Sequence, residues 1–355
     1  MSVAGGLAQR VQRWQRLHGR HGLPWQGTRD AYRVWLSEVM LQQTQVSTVL
    51  PYYAAFLQRF PDVQALAQAP LDDVLALWSG LGYYSRARNL HRCAQVVVQQ
   101  HGGRFPDQLD ALEQLPGIGR STAAAIAVFC FGRREAILDG NVKRVLSRAL
   151  AFDGDLAKAP EVQRLWSRAH ELLPQTDVTS YTQGLMDLGA SVCSLRRPDC
   201  AACPLQSLCL AHAQGQEEAY PVKSRRALRG RRSHALLWLH WRGRILLVQR
   251  PAKGVWAGLW SLPEFDDCDA LNASAAQWPG HGQWLPTIEH ALTHFDWSLT
   301  PLVWQWPARG AGPQGVVIET SGRWVMPEEA LALGLAAPVR RLLQSQPTMT
   351  FLSRK

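Results

Sequence analysis

Leu115-Pro-Gly-Ile-Gly-Arg-Ser121 is the stretch that decides the fold of this 355-residue chain. It follows one short helical pattern and opens a second, from Ser121 to Cys130. Gly117 and Gly119 permit a tight turn whose backbone N–H groups point outward at a helix start, where they can bind a phosphate without reading sequence. Because glycine-rich turns between helices are common, the stretch predicts two helices joined by a tight turn but does not by itself establish DNA binding.

Helical periodicity extends outward from this turn over residues from about 8 to 212. Apolar residues recur there at spacings of three and four, as at Val34, Trp35, Val39 and Met40, and loops with glycine and proline separate the segments. We therefore expect an all-α domain over residues 1–213, with the turn and its two helices at about 109–130, the stretch that becomes the helix-hairpin-helix in the resemblance described below.

Beyond residue 213 the character of the sequence changes. Residues 214–232 are polar and basic and predict a linker, which fits a solvated tether or a strip lying on phosphates equally well. Residues 233–345 predict an α+β domain, and residues 346–355 a tail. The predicted elements of this second domain are a hairpin turning at Arg242-Gly243, further strands and a closing helix: His234–Trp241, Arg244–Arg250, Leu299–Trp306, Val316–Thr320 and Ala337–Gln344.

Composition limits the classes of function. The formal net charge is +10, from 38 Lys and Arg against 28 Asp and Glu, which favours a polyanionic partner. No uninterrupted apolar run approaches about twenty residues, so no membrane partner is expected. The N-terminal segment lacks the apolar core of a secretory signal. These features predict a cytoplasmic protein, associated with the nucleoid if it binds DNA.

Four of the seven cysteines are clustered at the end of the helical domain. Cys193, Cys200, Cys203 and Cys209 have the spacing C-x6-C-x2-C-x5-C, whereas the other three are scattered and are expected to be buried free thiols. Four thiols in one short loop would be prone to oxidation without a ligand, so we predict a metal centre. Structural zinc and iron–sulfur clusters both use four thiolates, and the chemistry alone does not choose between them.

Two acidic residues have ordinary local explanations. Asp139 precedes Gly140-Asn141 and a helical pattern, which is the setting of an N-cap. Glu38 is predicted to share a helix face with Gln42 and Gln45, as an ordinary polar surface would. Local pattern alone favours both of these explanations over a catalytic role.

Taken together, the motifs resemble one family. The family is the MutY-type adenine DNA glycosylases of the helix-hairpin-helix superfamily, which also contains endonuclease III. The resemblance covers nearly the whole chain and implies one 4Fe-4S cluster on the four clustered cysteines. Its motifs are the hairpin stretch quoted above, the cysteine loop at 193–209, Ser37-Glu-Val-Met-Leu-Gln-Gln-Thr44, Gly80-Leu-Gly-Tyr-Tyr84 and Leu138-Asp-Gly-Asn-Val-Lys-Arg144.

The resemblance also implies roles in excision. Glu38 would protonate a ring nitrogen of adenine, Asp139 would stabilise the sugar cation, and Asn141 would support the site. Dividing the work between two carboxyl groups agrees with general acid catalysis, which supplies a factor of only ~10² to 10⁴. Gln183 matches the position that contacts the flipped adenine.

Further positions match residues that contact DNA or decide its fate. Gln43 and Tyr83, with Gln42 beside them, match the wedge next to the lesion, although Tyr83 could instead be a half-buried core aromatic. Ser121 occupies the position that holds the Schiff-base lysine in endonuclease III, so strand cleavage is not expected. Lys143 lies close to Asp139 in sequence and could trap an abasic sugar only adventitiously.

Residues 254–264 of the second domain resemble the segment that precedes the catalytic box of Nudix hydrolases. The R-E-x-x-E-E run that would hold magnesium does not follow, and three aspartates stand there in another pattern. The resemblance implies that this Nudix-like domain recognises 8-oxoguanine through a Phe-Ser-His loop. Here the loop reads Leu292-Thr293-His294, and a lone histidine such as His294 is more often structural.

The resulting hypothesis is a monomeric, monofunctional adenine DNA glycosylase of base-excision repair. Its expected partner is double-stranded DNA with adenine opposite 8-oxoguanine or guanine, and its expected effect is to prevent G:C to T:A transversion. The alternatives are a glycosylase-lyase for oxidised pyrimidines, a non-enzymatic iron–sulfur DNA-binding protein and a Nudix nucleotide hydrolase. The serine at position 121 argues against the lyase, and the presence of both Glu38 and Asp139 argues against a non-enzymatic protein. The absent box argues against a Nudix hydrolase.

Overall fold

The computed structural model describes residues 3–224, 229–313 and 322–345. Arg225 and Arg226 of the predicted linker, the strand predicted at Val316–Thr320 and the tail 346–355 lie outside the described residues. The chain divides into two compact units. The helical unit comprises Met1–Ala67 and Arg92–Arg226, and the mixed unit comprises Gln68–His91 and Ala227–Lys355.

The first two-thirds of the chain is helical, as the periodicity predicts. Short 3₁₀ turns at Gln206–Leu208 and Glu217–Ala219 accompany the α-helices. In chain order the α-helices are α1 (Val3–His18), α2 (Ala31–Leu41), α3 (Val46–Arg59), α4 (Val63–Gln68), α5 (Leu71–Trp78), α6 (Ser85–His101), α7 (Leu109–Glu113), α8 (Arg120–Phe131), α9 (Gly140–Ala149), α10 (Ala159–Glu171), α11 (Val178–Ala190) and α12 (Leu210–Ala213).

Aspartate caps begin several of these helices, among them α2, α9 and α11. Asp30 accepts hydrogen bonds from the backbone of Tyr32 and Arg33 at the start of α2, and Asp177 caps α11 in the same way. Asp139 caps α9 by accepting from the Val142 N–H at 2.7 Å. Because a cap satisfies backbone donors that the helix leaves free, it fixes the residue at which the helix starts.

The predicted hairpin is present between α7 and α8. Gly117 has φ +77°, a left-handed conformation that favours glycine, and Gly119 is the N-cap of α8 without a side-chain hydrogen bond. Thr122, Ala123 and the following residues of α8 are buried. The turn is therefore at the surface, while the helix that follows it crosses the core.

The mixed unit contains a sheet flanked by short helices, which confirms the expected α+β class. Its helices after residue 230 are α13 (Cys268–Ala275), α14 (Pro327–Leu331) and α15 (Ala337–Ser345). The described strands are β1 (Gly230–Trp241), β2 (Arg244–Gln249), β3 (Trp260–Ser261), β4 (Glu264–Phe265), β5 (His281–Trp284), β6 (Ile288–Ala291), β7 (Phe295–Gln305) and β8 (Gly322–Val325).

Strand β1 is the centre of this sheet. It pairs in parallel with β7, from Gly230 opposite Phe295 to His240 opposite Gln305, and antiparallel with β2 and β4. Its middle residues are buried in a continuous run, as expected for a strand covered on both faces. The hairpin to β2 turns at Arg242-Gly243, where φ is +49° and +75°, as the sequence predicts.

Residues 68–91 differ from the predicted domain boundary, because they belong to the mixed unit. The Tyr84 hydroxyl donates to the Leu335 carbonyl at 3.1 Å, and Arg340 Nε donates to Ser79 Oγ at 2.6 Å. The Arg88 guanidinium donates to the Ala257 carbonyl at 2.7 Å. These contacts join residues far apart in sequence, so no local pattern could have indicated them.

Parts of the predicted linker contact the folded units. Val222 accepts from the Leu156 N–H at 3.0 Å, which holds this segment on the helical unit. Arg229 donates to Asp296 and Arg232 lies over the Phe295 ring, 4.2 Å from its centroid, within the mixed unit. A solvated tether therefore does not describe these residues. Among the described residues, no helix has both the length and the apolar character needed to cross a membrane.

Candidate active-site cleft

A cleft of about 1530 Å³ opens in the helical unit. Its walls come from the segment between α1 and α2, from α2 itself and from α8, α9 and α11. It brings together eight residues singled out from the sequence: Glu38, Gln42, Gln43, Ser121, Asp139, Asn141, Lys143 and Gln183. The two carboxyl groups on which the enzyme hypothesis depends thus face one space from separate helices.

Glu38 reaches the cleft from the polar side of α2. Its neighbours Trp35, Val39 and Met40 are buried, which fixes the orientation of the helix. Burial of the carboxyl among protein atoms raises the pKa of Glu38 to about 8, and the nearby Asp139 charge adds to that rise. At neutral pH the group therefore carries a proton and can act as an acid.

The prediction that Glu38, Gln42 and Gln45 share one helix face is wrong, because the helix ends before Gln42. Helix α2 ends at Leu41, Gln42 is its C-cap, and Gln45 is the N-cap of α3. The chain breaks at Gln43, whose φ is +58°, and a non-glycine residue in this conformation carries strain. The polar residues after α2 therefore line the cleft from a tight connection.

Asp139 serves as helix cap and cleft residue at once. Burial raises the pKa of Asp139, but hydrogen bonds from the Val142 and Asn141 backbone and the positive charges of Arg144 and Lys143 act in the opposite direction. The pKa of Glu38 rises with no comparable opposition. Of the two acids, Asp139 is therefore the better placed to be the carboxylate.

Asn141 and Ser121 are held by defined hydrogen bonds beside the carboxyl groups. Asn141 Oδ1 accepts from Arg144 at 2.9 Å. A Cβ on Gly189 would lie 2.6 Å from the Cβ of Asn141, so a glycine is required where α11 approaches α9. Ser121 Oγ accepts from the Leu138 N–H at 3.2 Å. A hydroxyl at this position offers no amine for Schiff-base chemistry.

Two residues that the sequence reasoning missed also define the cleft. Arg20 lines it, and the buried Asp187 binds both Arg20 and Gln183 from behind the wall. Asp187 follows Gln183 by four residues on α11, and that spacing was the available signal. Arg20 lies past the end of α1, where helical periodicity carries no information.

The remaining predicted DNA contacts lie outside the cleft. Gly117 and Gly119 are exposed in the hairpin turn of the helical unit. In the mixed unit, Tyr83 is 47% exposed and has φ +48°, so about half of its side chain is accessible. Thr293 and His294 are both exposed in the turn between β6 and β7, which the Leu292 N–H closes on the Phe295 carbonyl at 2.9 Å.

The four clustered cysteines line one small cavity. Arg148, only 2% exposed, closes it from α9 and donates to Cys193 Sγ at 3.3 Å and to the Ser194 carbonyl at 2.6 Å. In a tetrahedral zinc site with Zn–S of about 2.3 Å, the sulfurs lie roughly 3.8 Å apart. Among the described residues, Cys200, His212 and Glu217 are the group that brings three ligand atoms within 4.8 Å of one another, and it includes a single thiol. The four thiols that line the cavity beside a buried guanidinium are a donor set that suits zinc or an iron–sulfur cluster.

Two family models match the chain, one in each of its two parts. Residues 36–170 match the family described as HhH-GPD superfamily base excision DNA repair protein, and residues 234–345 match the NUDIX domain. Fold and cleft together thus define a base-excision DNA glycosylase that carries a second, Nudix-like domain.

The relatives specify the base that is removed. The adenine DNA glycosylase of Buchnera aphidicola (subsp. Schizaphis graminum) is 33% identical over 301 residues, which cover 84% of this chain and 87% of that protein. The human adenine DNA glycosylase is 34% identical, covering 92% of this chain and 70% of that protein. This chain belongs to the adenine DNA glycosylases, hydrolases that excise adenine from DNA in base-excision repair.

Solved structures resemble the helical part of the chain. A thermostable thymine-DNA glycosylase is 27% identical, with a TM-score of 0.53, and the match covers 60% of this chain and 97% of that one. Endonuclease III in a non-covalent complex with DNA is 20% identical, with a TM-score of 0.51, covering 61% of this chain and 99% of that one. The second likeness shows the fold alone.

Proposed function

We propose that this glycosylase removes adenine paired with 8-oxoguanine or guanine in duplex DNA, and so prevents G:C to T:A transversion. The observation that carries the proposal is the meeting of Glu38 and Asp139 in one cleft of about 1530 Å³. Burial raises the pKa of both groups, that of Glu38 to about 8, but at Asp139 backbone hydrogen bonds and the charges of Arg144 and Lys143 oppose the rise, which supports Glu38 as the acid and Asp139 as the carboxylate.

In this proposal Glu38 donates its proton to a ring nitrogen of the flipped adenine. The bond between that base and C1′ of the sugar then breaks, and the electron pair leaves with the neutral base. Asp139 stabilises the resulting oxocarbenium-like sugar, as carboxylates do in glycoside hydrolysis. Water adds to C1′ and passes its proton to a carboxylate of the site, which regenerates the acid by exchange with solvent. Asn141 supports this arrangement from the start of α9.

Flipping the nucleotide costs a few kcal/mol, and a side chain must fill the space left in the duplex. We assign wedge roles to Gln43 of the helical unit and to Tyr83 of the mixed unit, and a DNA contact to Gln42, which precedes Gln43 in the chain. Both wedge residues are exposed and both have positive φ, which is a strained conformation that occurs preferentially at functional sites. The turn at Gly117 and Gly119 and the Lys143 ammonium would contact phosphates and position the strand.

Hydrolysis without strand cleavage follows from Ser121. Its hydroxyl accepts from the Leu138 backbone and cannot form an imine with the sugar. Lys143 also lines the cleft, but the charges of Arg144 and Lys143 act on Asp139, which suits electrostatic support of the carboxylate. We therefore propose a monofunctional enzyme.

The Nudix-like domain is proposed to recognise the base opposite the adenine. Thr293 and His294 support this role because they stand exposed in a closed turn, where they can reach a duplex. Helix α13, which follows the Nudix-like segment, contains one acidic residue, Asp269, so it lacks the carboxylates that a magnesium diphosphate site needs. Binding without hydrolysis is the consequence.

We further propose that Cys193, Cys200, Cys203 and Cys209 hold one 4Fe-4S cluster. When bound, the cluster would supply a redox-capable centre and fix the loop 193–209. The fit rests on the four thiols that line one cavity and on the buried Arg148, whose hydrogen bond to Cys193 Sγ suits a negatively charged thiolate. We also propose that the protein is a monomer, and that its net charge of +10 associates it with the nucleoid.

The test is single-turnover excision from duplexes in which adenine faces 8-oxoguanine, guanine or thymine. We expect the fastest release opposite 8-oxoguanine, slower release opposite guanine and the least opposite thymine. Products are resolved with and without alkali, and strand breaks should depend on alkali. Failure to release adenine from any duplex, by protein whose iron content matches one cluster, would refute the proposal.

A further inference from the structure

One buried carboxylate accepts hydrogen bonds from three donor groups on the side of the cleft formed by α1 and α11. Asp187, 1% exposed, lies on α11 behind the cleft wall. Its Oδ1 accepts from Gln183 Nε2 at 2.9 Å and from Arg20 Nε at 2.7 Å. Its Oδ2 accepts from the Arg20 backbone N–H at 3.0 Å. Gln183 and Arg20 both line the cleft, so Asp187 fixes two cleft residues without facing the cleft.

The chemistry of a carboxylate determines which way the Gln183 carboxamide points. An ionised carboxylate only accepts hydrogen bonds, whereas a carboxamide has a donating and an accepting end. The NH₂ end must therefore be the one that faces Asp187, and the accepting Oε1 is left on the other side of the amide. Since reversal would place two acceptors against each other in a buried site, Asp187 removes the ambiguity of orientation.

The arrangement of donors and acceptors matches adenine and not a 6-oxopurine. Adenine presents an amino group at C6, which is a donor, beside ring nitrogens that accept. Hypoxanthine and guanine present a carbonyl oxygen at C6, which is an acceptor. The Gln183 Oε1 complements the first and opposes the second. The Arg20 guanidinium, held through its Nε, keeps its terminal N–H groups as donors for a ring nitrogen.

We infer that Asp187 is a specificity-determining positioning residue, which sets the orientation of Gln183 so that the cleft accepts 6-aminopurines and rejects 6-oxopurines. The inference rests on the proposed function and deepens it, because it concerns the base that enters the same cleft. It assigns no direct contact to Asp187. A site built around a hydrogen bond can discriminate by ~10⁴-fold or more against an analogue that cannot form that bond. A residue that positions the hydrogen-bonding group can therefore have a large effect.

The test compares excision of adenine and of hypoxanthine opposite 8-oxoguanine by wild type and by Asp187→Asn. An asparagine offers one accepting oxygen where Asp187 offers two, for the donors of Arg20 and Gln183 together, so it no longer fixes the Gln183 carboxamide and can donate to Oε1 of the reversed amide. We expect the adenine-to-hypoxanthine ratio of single-turnover rates to fall at least ~10-fold, through slower adenine and faster hypoxanthine release. In a Gln183→Leu background the same substitution should leave the ratio unchanged, because no amide remains to be turned.

Asp177→Asn is the matched control. Asp177 lies on the same helix and also pairs with an arginine of α1, Arg16, but it does not line the cleft. The substitution removes one negative charge from the same pair of helices and should leave the adenine-to-hypoxanthine ratio of rates unaltered. Should Asp187→Asn not fold, Asp187→Ser provides a smaller group that can donate or accept, and the ratio should fall there too.

The outcomes separate the two proposals. Absence of adenine release by the wild type defeats the proposed function itself. Release by the wild type, with Asp187→Asn lowering both rates equally or lowering only the melting temperature, leaves the function standing and overturns the role of Asp187.

Discussion

The cleft of the helical unit and the turn between β6 and β7 of the mixed unit place their polar residues in opposite surroundings. Glu38 and Asp139 are enclosed, and burial is the largest influence on the pKa of each. Thr293 and His294 are consecutive residues, and both are exposed. An acid must be desolvated to keep its proton at neutral pH, whereas a group that inspects a base in an intact duplex must protrude.

The comparison predicts two classes of substitution. Changes in the cleft should lower the rate whatever base lies opposite the adenine. Changes in the turn should alter the ratio of the excision rates opposite 8-oxoguanine and opposite guanine, while the chemical step stays intact. A cleft variant that changed only the ratio, or a turn variant that stopped excision, would break the distinction.

The largest effect is expected for Asp139→Asn. Asparagine is also a good N-cap, so the start of α9 and the stability of the fold should be preserved. Loss of the carboxylate that faces the sugar should lower the single-turnover rate by roughly 10³-fold, with duplex affinity retained. Asp177→Asn, at the cap of α11, is the control for a neutralised cap. Excision at the wild-type rate by Asp139→Asn would show that the carboxylate is not required.

The pH dependence gives the next effect. Since burial raises the pKa of Glu38 to about 8, the acid form is lost as pH rises through about 8, and excision should fall tenfold per unit above that value. At low pH the rate should fall again as Asp139, whose pKa is also raised, becomes protonated. Single-turnover rates between pH 5 and 10 test this, and a rate constant that stays level to pH 10 would contradict the role of Glu38.

The same group provides a check on stability. A carboxyl whose pKa is raised by folding binds its proton more tightly in the folded state, so its burial costs stability progressively from its ordinary pKa up to about 8. Glu38→Gln removes the ionisation. Its melting temperature should therefore exceed that of the wild type by more at pH 8 than at pH 5, and an equal difference at both values would mean that Glu38 is not desolvated.

A smaller and more selective effect is expected for His294→Ala. One lost contact to a base costs about 1–3 kcal/mol, so the preference for adenine opposite 8-oxoguanine over guanine should fall about tenfold. Excision opposite guanine should change little. His281→Ala, on β5 of the same sheet, is the control histidine. Equal losses opposite both bases would assign His294 to general DNA binding.

Deleting the chain after Ser224 is the coarser form of this experiment, and the ratio should fall again. The truncation also removes Leu335 and Arg340, which contact Tyr84 and Ser79. These two residues flank the exposed Tyr83 in the chain. The fragment should therefore lose some excision as well as selectivity. The point variant is the sharper measurement because it leaves those contacts intact.

Much of this molecule was predictable from sequence where local chemistry decides the structure. Gly117 and Gly119 marked the hairpin, Asp139 marked the start of α9, and Arg242-Gly243 marked the β1–β2 turn. The two-residue strands β3 and β4 were not predicted, because they form only against β2 and β1. A two-residue strand has no periodicity to detect.

Within the site, sequence supplied the residue types and structure supplied their environment. Nothing around Glu38 in the chain indicates a pKa of about 8, since that value depends on burial in the folded protein and on the charge of Asp139, which is remote in sequence. The assignment of residues 68–91 to the mixed unit depends equally on long-range contacts. Asp187 was accessible in principle, at four residues from Gln183, but only the buried side chain gives that spacing a meaning.

The smallest effect is expected at Thr293, where this chain departs from the serine of the resembling loop. The side chain is exposed, so removing its methyl group in Thr293→Ser creates no cavity, and the hydroxyl is kept. Selectivity should therefore change by about twofold at most, in line with the ~0.5 kcal/mol typical of surface substitutions.

Thr293→Val is the informative partner of that substitution, because it keeps the branched shape and loses the hydroxyl. If the hydroxyl contacts the base opposite the adenine, the preference for 8-oxoguanine should fall several-fold in Thr293→Val and stay nearly constant in Thr293→Ser. The reverse order would show that the methyl group, by restricting the side-chain rotamer, shapes the turn. Selectivity would then arise from the conformation of the 292–294 backbone and from His294, and the exposed turn would depend on preorganisation as the cleft does.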